Sequence, residues 1–583
     1  MSGIDARGCS ISGATPAALA AYERAIAAFQ SWRSGAEVHL EVALQEAPSF
    51  VMAHVLQAWL LLCSRDPRRA RSARPVLARA AGLPANERER GHLAAIAAAL
   101  ADDYERAKAL LGVVLRLQPR DALALQVAHA FDYVTGDAAR MGDRVAAVLP
   151  AWASDLPGYY AVLAMHAFSL EECGEYERAE QAARAALASN PNDARAHHVM
   201  AHVFEMTERA DAGVRWMNEH NARWAAESVV ATHCWWHLAL FHLAHGEEGR
   251  ALALYDQRVR AGHSGEVADL IDAAALLWRI HLCGGDTGTR WAELATAWAA
   301  HIDDGFCSFN DLHAMLAFVG ARDWDSARRL ELALHRSQSL PTRHGETTRQ
   351  LGLPACRALI AFGRGNDTLA ITLLASLPAL AHRLGGSHAQ RDVLHLTVLR
   401  AVERIRRPVS HQLSLQKRQH PHPDRHAERA QDRRHRHQPG HERPMPAHAH
   451  RQHIGARRGG QGREGDDDEA LRLRQREQCH KAMATSGSTT WRIASSAAAR
   501  PGAAFKPPSF KPAPTAISPS GSAARPMRCS VAATASGNSK PATLASKPAA
   551  VLRISGLRRI RGHRHARLAA PEARRQLVWC CTL

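Results

Sequence analysis

The sequence predicts an all-α fold: a solenoid of helical hairpins over residues 15–405, followed by a basic tail unable to build a core. Three observations predict it. Apolar residues recur at helical spacing in segments rich in Ala and Leu and almost free of β-branched runs. Those segments end at Gly, Asp-Pro, Asn-Pro or Gln-Pro, which stop helices. A small residue returns near every 34th position, as at Ala36 and Ala70, and a fixed period of that size marks a stacked repeat. The 583 residues exceed the roughly 250–300 that one core supports, and an extended array escapes that limit.

The clearest unit runs from Tyr159 to Asp193. Its second helix begins Gly174-Glu175-Tyr176, passes through Ala179, Ala183, Ala186 and Leu187, and stops at Asn190-Pro191. A small residue lets two helices cross closely, an aromatic fills the gap to the next hairpin, and Pro cannot continue a helix. Tyr104, Ala107, Leu115 and Pro119 repeat the register, with Asp102 where the turn Gly would stand; Ala36, Ala43 and Pro48 repeat it earlier. Ala212, Ala251 with Tyr255, Trp324 with Ala327, and Ala370 are expected at the later crossings. This pattern resembles the tetratricopeptide repeat, and eight or nine hairpins are expected, with residues 121–158 and 262–300 the least regular. Residues 1–14 read as a flexible N-terminus.

Three longer segments are more specific. They are Arg195-Ala196-His197-His198-Val199-Met200-Ala201-His202-Val203-Phe204-Glu205, Thr232-His233-Cys234-Trp235-Trp236-His237, and Gly386-Ser387-His388-Ala389-Gln390-Arg391-Asp392. In this order, with Leu254-Tyr255-Asp256 between the last two, they resemble the tetratricopeptide-repeat protein 38 family over about residues 15–405. That resemblance implies a cytoplasmic helical-repeat protein without a well-assigned activity. The family pattern continues with further helices after the Gln-Arg-Asp segment, and here it is soon lost.

Charge separates body from tail. Residues 1–404 carry 40 Lys+Arg against 45 Asp+Glu, so the body is mildly acidic and the whole basic excess lies beyond it. The overall charge of +18 therefore does not mark the body as a nucleic-acid binder; the tail would bind nucleic acid non-specifically at most. No run of about 18 uncharged apolar residues predicts a membrane span. Met1-Ser2-Gly3-Ile4-Asp5 lacks the basic start of a secretory signal. Cys9, Cys63, Cys173, Cys234, Cys283, Cys307 and Cys356 form no CxxC pair and read as buried thiols of a reduced, cytoplasmic protein.

Residues 406–583 are His/Arg/Pro/Ala-rich, with ten His between positions 411 and 453 and an acidic run at Asp466-Asp467-Asp468-Glu469. Such composition predicts disorder. It reads either as a basic arm with metal affinity or as GC-rich DNA translated in a shifted frame.

The chemistry is expected in the groove lined by the first helix of each hairpin. With the crossing Ala set to position 20, His198, His237 and His313 fall at position 6, His233 at position 2 and Glu205 at position 13. His198, His202 and Glu205 share one helical face, and His233 and His237 share another. With Trp236, His388, Gln390, Arg391 and Asp392 they compose a candidate ligand groove. One expectation is a binding protein whose His/Trp-rich concave groove takes a peptide or small ligand. The alternative is a metal-dependent enzyme with a divalent ion on His198, His202, Glu205 and His237, since paired imidazoles suit zinc or iron. Asp303, Asp304 and Asp311 read as helix caps. Trp216, Trp235, Trp236 and Phe241 read as packing. Phosphate-loop and nucleophile-elbow patterns are missing.

Overall fold

The computed structural model describes residues 2–64 and 66–419, with side chains through residue 406; the expectations for the tail lie outside the described residues. Among the described residues ten helical hairpins follow one another, where eight or nine were expected, from Pro16–Gln30 with Ala36–Glu46 to Leu353–Gly363 with Asp367–Leu374. The two stretches expected to be least regular are ordinary hairpins, Ala122–Thr135 with Ala138–Val148 and Val267–Leu282 with Arg290–Trp298. Each first helix packs on its own partner, and from Ala122–Thr135 to Leu353–Gly363 each also packs on the first helix of the next hairpin, which is how a solenoid builds a continuous core from units that cannot fold alone. No helix among the described residues is long and apolar enough to cross a membrane.

Local chemistry explains the hairpins. Asp103, Asp121, Asp137, Asp193 and Asp323 stand just before helices and accept a backbone N–H from the first turn. Pro119 and Pro191 precede two of these caps. The turn between paired helices needs a left-handed residue. Gly136 and Gly174 supply it at φ +74° and +80°, and Asp102 at +59°. Ala36, Ala70, Ala107, Ala179, Ala251, Ala327 and Ala370 are all buried at their crossings, as expected. Ala212 is not. Its neighbour Gly213 takes the crossing, where a Cβ would stand 2.5 Å from the Phe241 ring.

Three further expectations need correction. The N-terminus is ordered: Ser2–Ile4 pairs antiparallel with Ser10–Ser12. Asp5 accepts the backbone N–H groups of Arg7 (2.9 Å) and Cys9 (3.0 Å), and the helix Glu87–Leu100 binds the hairpin through Arg88 to Ser10 O (3.0 Å) and Glu89 to Ser12 N (2.8 Å). Asp303, Asp304 and Asp311 do not cap. The helix Ser308–Ala321 starts at Cys307 without a side-chain cap. Asp303 pairs with Arg336 (3.0 Å), and Asp304 with His301 (2.8 Å) and Arg68 (3.2 Å). Asp311 is buried, and burial pushes its carboxyl up to about 8.

The third correction concerns the concave face, which is closed over. Segments near residues 340–392 return to hairpins three to five. Arg343 donates to Val134 O (2.9 Å), His344 N to Asp102 (3.2 Å), and Tyr133 Oη to Gln390 (3.4 Å). Gly136 lies so close to His382 O that a Cβ would stand 2.1 Å from it. The helix Val393–Gln419 then packs on Val267–Leu282 and Asp367–Leu374, with Trp278 Nε1 donating to Thr397 (3.0 Å).

Replacing Gly213 with Ala tests the crossing. Overpacking against Phe241 costs about 1–3 kcal/mol, more than the roughly 1 kcal/mol of helix propensity gained. The urea midpoint of Gly213→Ala falls. Gly249→Ala, with nothing within 4 Å of the new Cβ, leaves it unchanged or raises it.

Candidate functional site

Four of the sequence-predicted residues meet inside the closed solenoid. His198 and His202 lie on the helix Ala194–Met206, and His233 and His237 on Ala231–Ala244. These are the first helices of neighbouring hairpins, so two i, i+4 pairs face each other. One nitrogen from each ring lies within 4.8 Å of the others, and none of the four residues is more than 4% exposed. Ring centroids are 4.3 Å apart for His198 and His202, and 4.7 Å for His233 and His237. The second helix also joins the two apolar cores: Cys234, Leu238 and Phe241 belong to one, Trp236, Ala239 and Leu243 to the other.

A carboxylate stands behind three of the rings. Asp272 lies 2.9 Å from His233 Nδ1, Glu205 2.9 Å from His237 Nδ1, and Glu171 3.3 Å from His202 Nδ1. At His233 and His237 an Nδ1–H donated outward leaves the Nε2 lone pair for the interior, the arrangement that orients metal-ligating imidazoles. His198 Nε2 and His202 Nε2 are 2.9 Å apart and share one proton, while buried His237 Nε2 has no hydrogen-bond partner. Trp32 and Phe168 pack on His198 (5.6 and 5.9 Å between centroids), and Trp236 stacks on His233 (5.1 Å).

Electrostatics divides the rings. His198 and His237 sit well below the ordinary imidazole range, from burial first and then from neighbouring imidazoles. Burial is the largest influence on His202 and opposes its charge, but the carboxylates of Glu171, Glu172 and Glu205 together outweigh it and raise its pKa. Burial pushes the Glu205 carboxyl up to about 7. Glu205 also lines a cavity of about 40 Å³ with Phe204, Phe241, Arg279 and Asp392, large enough for a water molecule.

The remaining expected residues divide. Gln390 accepts Ser387 N (3.1 Å) and Tyr133 Oη, and Arg279 holds Asp392 while its guanidinium lies 5.2 Å over the Trp236 ring. Arg391 and His388 approach Glu172 at 3.6 and 3.5 Å, the latter from an exposed rim. His313 is elsewhere, bound to Phe309 O (2.8 Å) in its own helix. Glu171, Asp272 and Arg279 are functional candidates that sequence reasoning missed. Glu171 had a signal: it precedes Ala179 by the interval at which Glu205 precedes Gly213, which was hidden when the crossing was placed at Ala212.

A neutral His237 gives a signed pH dependence. At this ring the folded chain binds fewer protons than the unfolded chain below about pH 6.5, so the contribution of His237 to stability falls as pH drops from there. In metal-free protein, His237→Gln flattens that fall by up to about 1.4 kcal/mol per pH unit, read from urea unfolding between about pH 6.5 and 5. An unchanged slope would mean His237 is already charged in the native state. No protein-family model matches the chain.

Proposed function

We propose that the chain is a metal-dependent enzyme on a tetratricopeptide-like solenoid, with one divalent transition ion on His198, His202, His233 and His237. The observation that carries the reading is the convergence of four buried ring nitrogens with carboxylates behind three of them. Peptide docking in an open groove needs exposed side chains. His198, His202, His233, Trp236 and His237 are all buried, which favours the metal reading over the groove. Glu205 therefore serves as a carboxylate behind His237 and not as the ligand first expected.

Imidazole donors suit zinc or ferrous iron, and neutral His198 and His237 are already in the metal-binding form. Held by three of the four rings with one position left open, such an ion would supply Lewis-acid activation of water or a carbonyl. Glu205, with its carboxyl near neutrality and beside the small cavity, is the chain's candidate for proton transfer. Arg279 and Asp392, paired with each other, wall the same water-sized cavity, so water is the reactant it has room for. The described cysteines are all free thiols, in keeping with a cytoplasmic setting. The three segments that resemble the tetratricopeptide-repeat protein 38 family all contribute to this region.

The test uses the full chain, stripped by chelator and reloaded with cobalt(II). Wild type is expected to hold one more tightly bound equivalent than His198→Ala or His237→Ala, with visible d–d absorption that both variants lose while keeping helical circular dichroism. Any binding by tail histidines is common to all three proteins. Equal metal content and spectra in folded wild type and variants would remove the metal centre.

A further inference from the structure

A second site lies where the solenoid closes. A cavity of about 230 Å³ and an adjoining one of about 50 Å³ share Leu62, Asp102, Tyr104, Phe131, Phe306 and His344. These residues come from both sides of the seam: hairpins two to four on one side, and the loop and short helix around residues 306 and 344 on the other. The interior wall is apolar and rigid. Tyr104 and Phe131 stack with centroids 5.0 Å apart at 4°, and both Leu62 and Phe131 are buried.

The solvent side has the opposite character. Arg71 and Arg74 line the larger cavity and are both exposed. Beyond Arg74 and Leu100 a shallow groove continues over the surface. The neighbouring Arg68 and Arg69 are engaged with Asp304 (3.2 Å) and Glu37 (3.6 Å). At the inner polar edge, Asp102 is turned inward by its left-handed backbone and accepts His344 N. An apolar chamber with two guanidinium groups at its mouth is complementary to a molecule with an apolar body and one anionic end.

We infer that this seam cavity binds a small organic acid, its apolar body between Leu62, Tyr104, Phe131 and Phe306 and its carboxylate at Arg71 and Arg74. The volume lies below the roughly 300–1,000 Å³ of drug-sized pockets, which restricts the body to a short chain or a single ring. A ligand touching both sides of the seam binds only the closed solenoid, so it also raises thermal stability by mass action. The inference stands apart from the metal centre, because the two sites share no residue.

Octanoate and octanol are the probes, titrated into the full chain by calorimetry with melting temperature recorded in parallel. Octanoate is expected to bind at least about tenfold more tightly than octanol, the worth of one charge-assisted hydrogen bond, and to raise the melting temperature. Arg71→Gln with Arg74→Gln keeps amide donors but removes charge, and should bring octanoate down to the level of octanol. Ala99→Trp fills the cavity and should abolish both, with helical circular dichroism retained. Equal affinity for acid and alcohol in wild type, no binding of octanoate, or octanoate binding that survives Ala99→Trp would each overturn the inference.

Discussion

The close approach of neighbouring hairpins is the constraint on which the rest depends. Only where small residues sit at the crossings can first helices lie side by side, and only then do histidines on two helices come within reach of one ion. The contact of Gly213 with Phe241 is the local example. It seats the helix Ala210–Glu219 against Ala231–Ala244, which carries His233 and His237 on the face turned to His198 and His202. Closure of the superhelix then turns a concave surface into an interior.

That interior is chemically expensive to build. Four imidazoles and the carboxylates of Glu171 and Asp272 are removed from water, with that of Glu205 partly so, and unpaired polar groups there cost several kcal/mol each. Hydrogen bonding of His233 to Asp272 and of His237 to Glu205 lowers the cost and fixes those two tautomers. It also leaves specific atoms unanswered: His237 Nε2, His198 Nδ1 and both Glu171 oxygens lack hydrogen-bond partners. A cation among the rings would satisfy the inward nitrogens and strengthen the outward bonds to carboxylate. Arg279, itself buried, ties the Asp392 segment to Trp236 and so links the closing strap to the site.

What could be read in the sequence was local. Helical spacing, Asp caps after Pro, and left-handed turn residues act within one hairpin, and they placed the hairpins and the shared faces of His198/His202 and His233/His237. Long-range effects were out of reach. Nothing within residues 1–14 announces that Arg88 and Glu89 will hold the N-terminal hairpin, nor does residue 344 announce Asp102. A one-residue error at Ala212 was enough to hide Glu171, because repeat alignment converts a crossing into a catalogue of equivalent positions. His313 shows the converse: an equivalent position in a later repeat, yet a different neighbourhood.

Whether the four rings are poised for one ion is read directly by anomalous diffraction from crystals of the zinc- or iron-loaded protein. A single strong peak is expected about 2.0–2.2 Å from nitrogens of at least three of His198, His202, His233 and His237. Crystals grown with metal in excess that instead keep the His198–His202 hydrogen bond, with no anomalous density between the two helices, would contradict it.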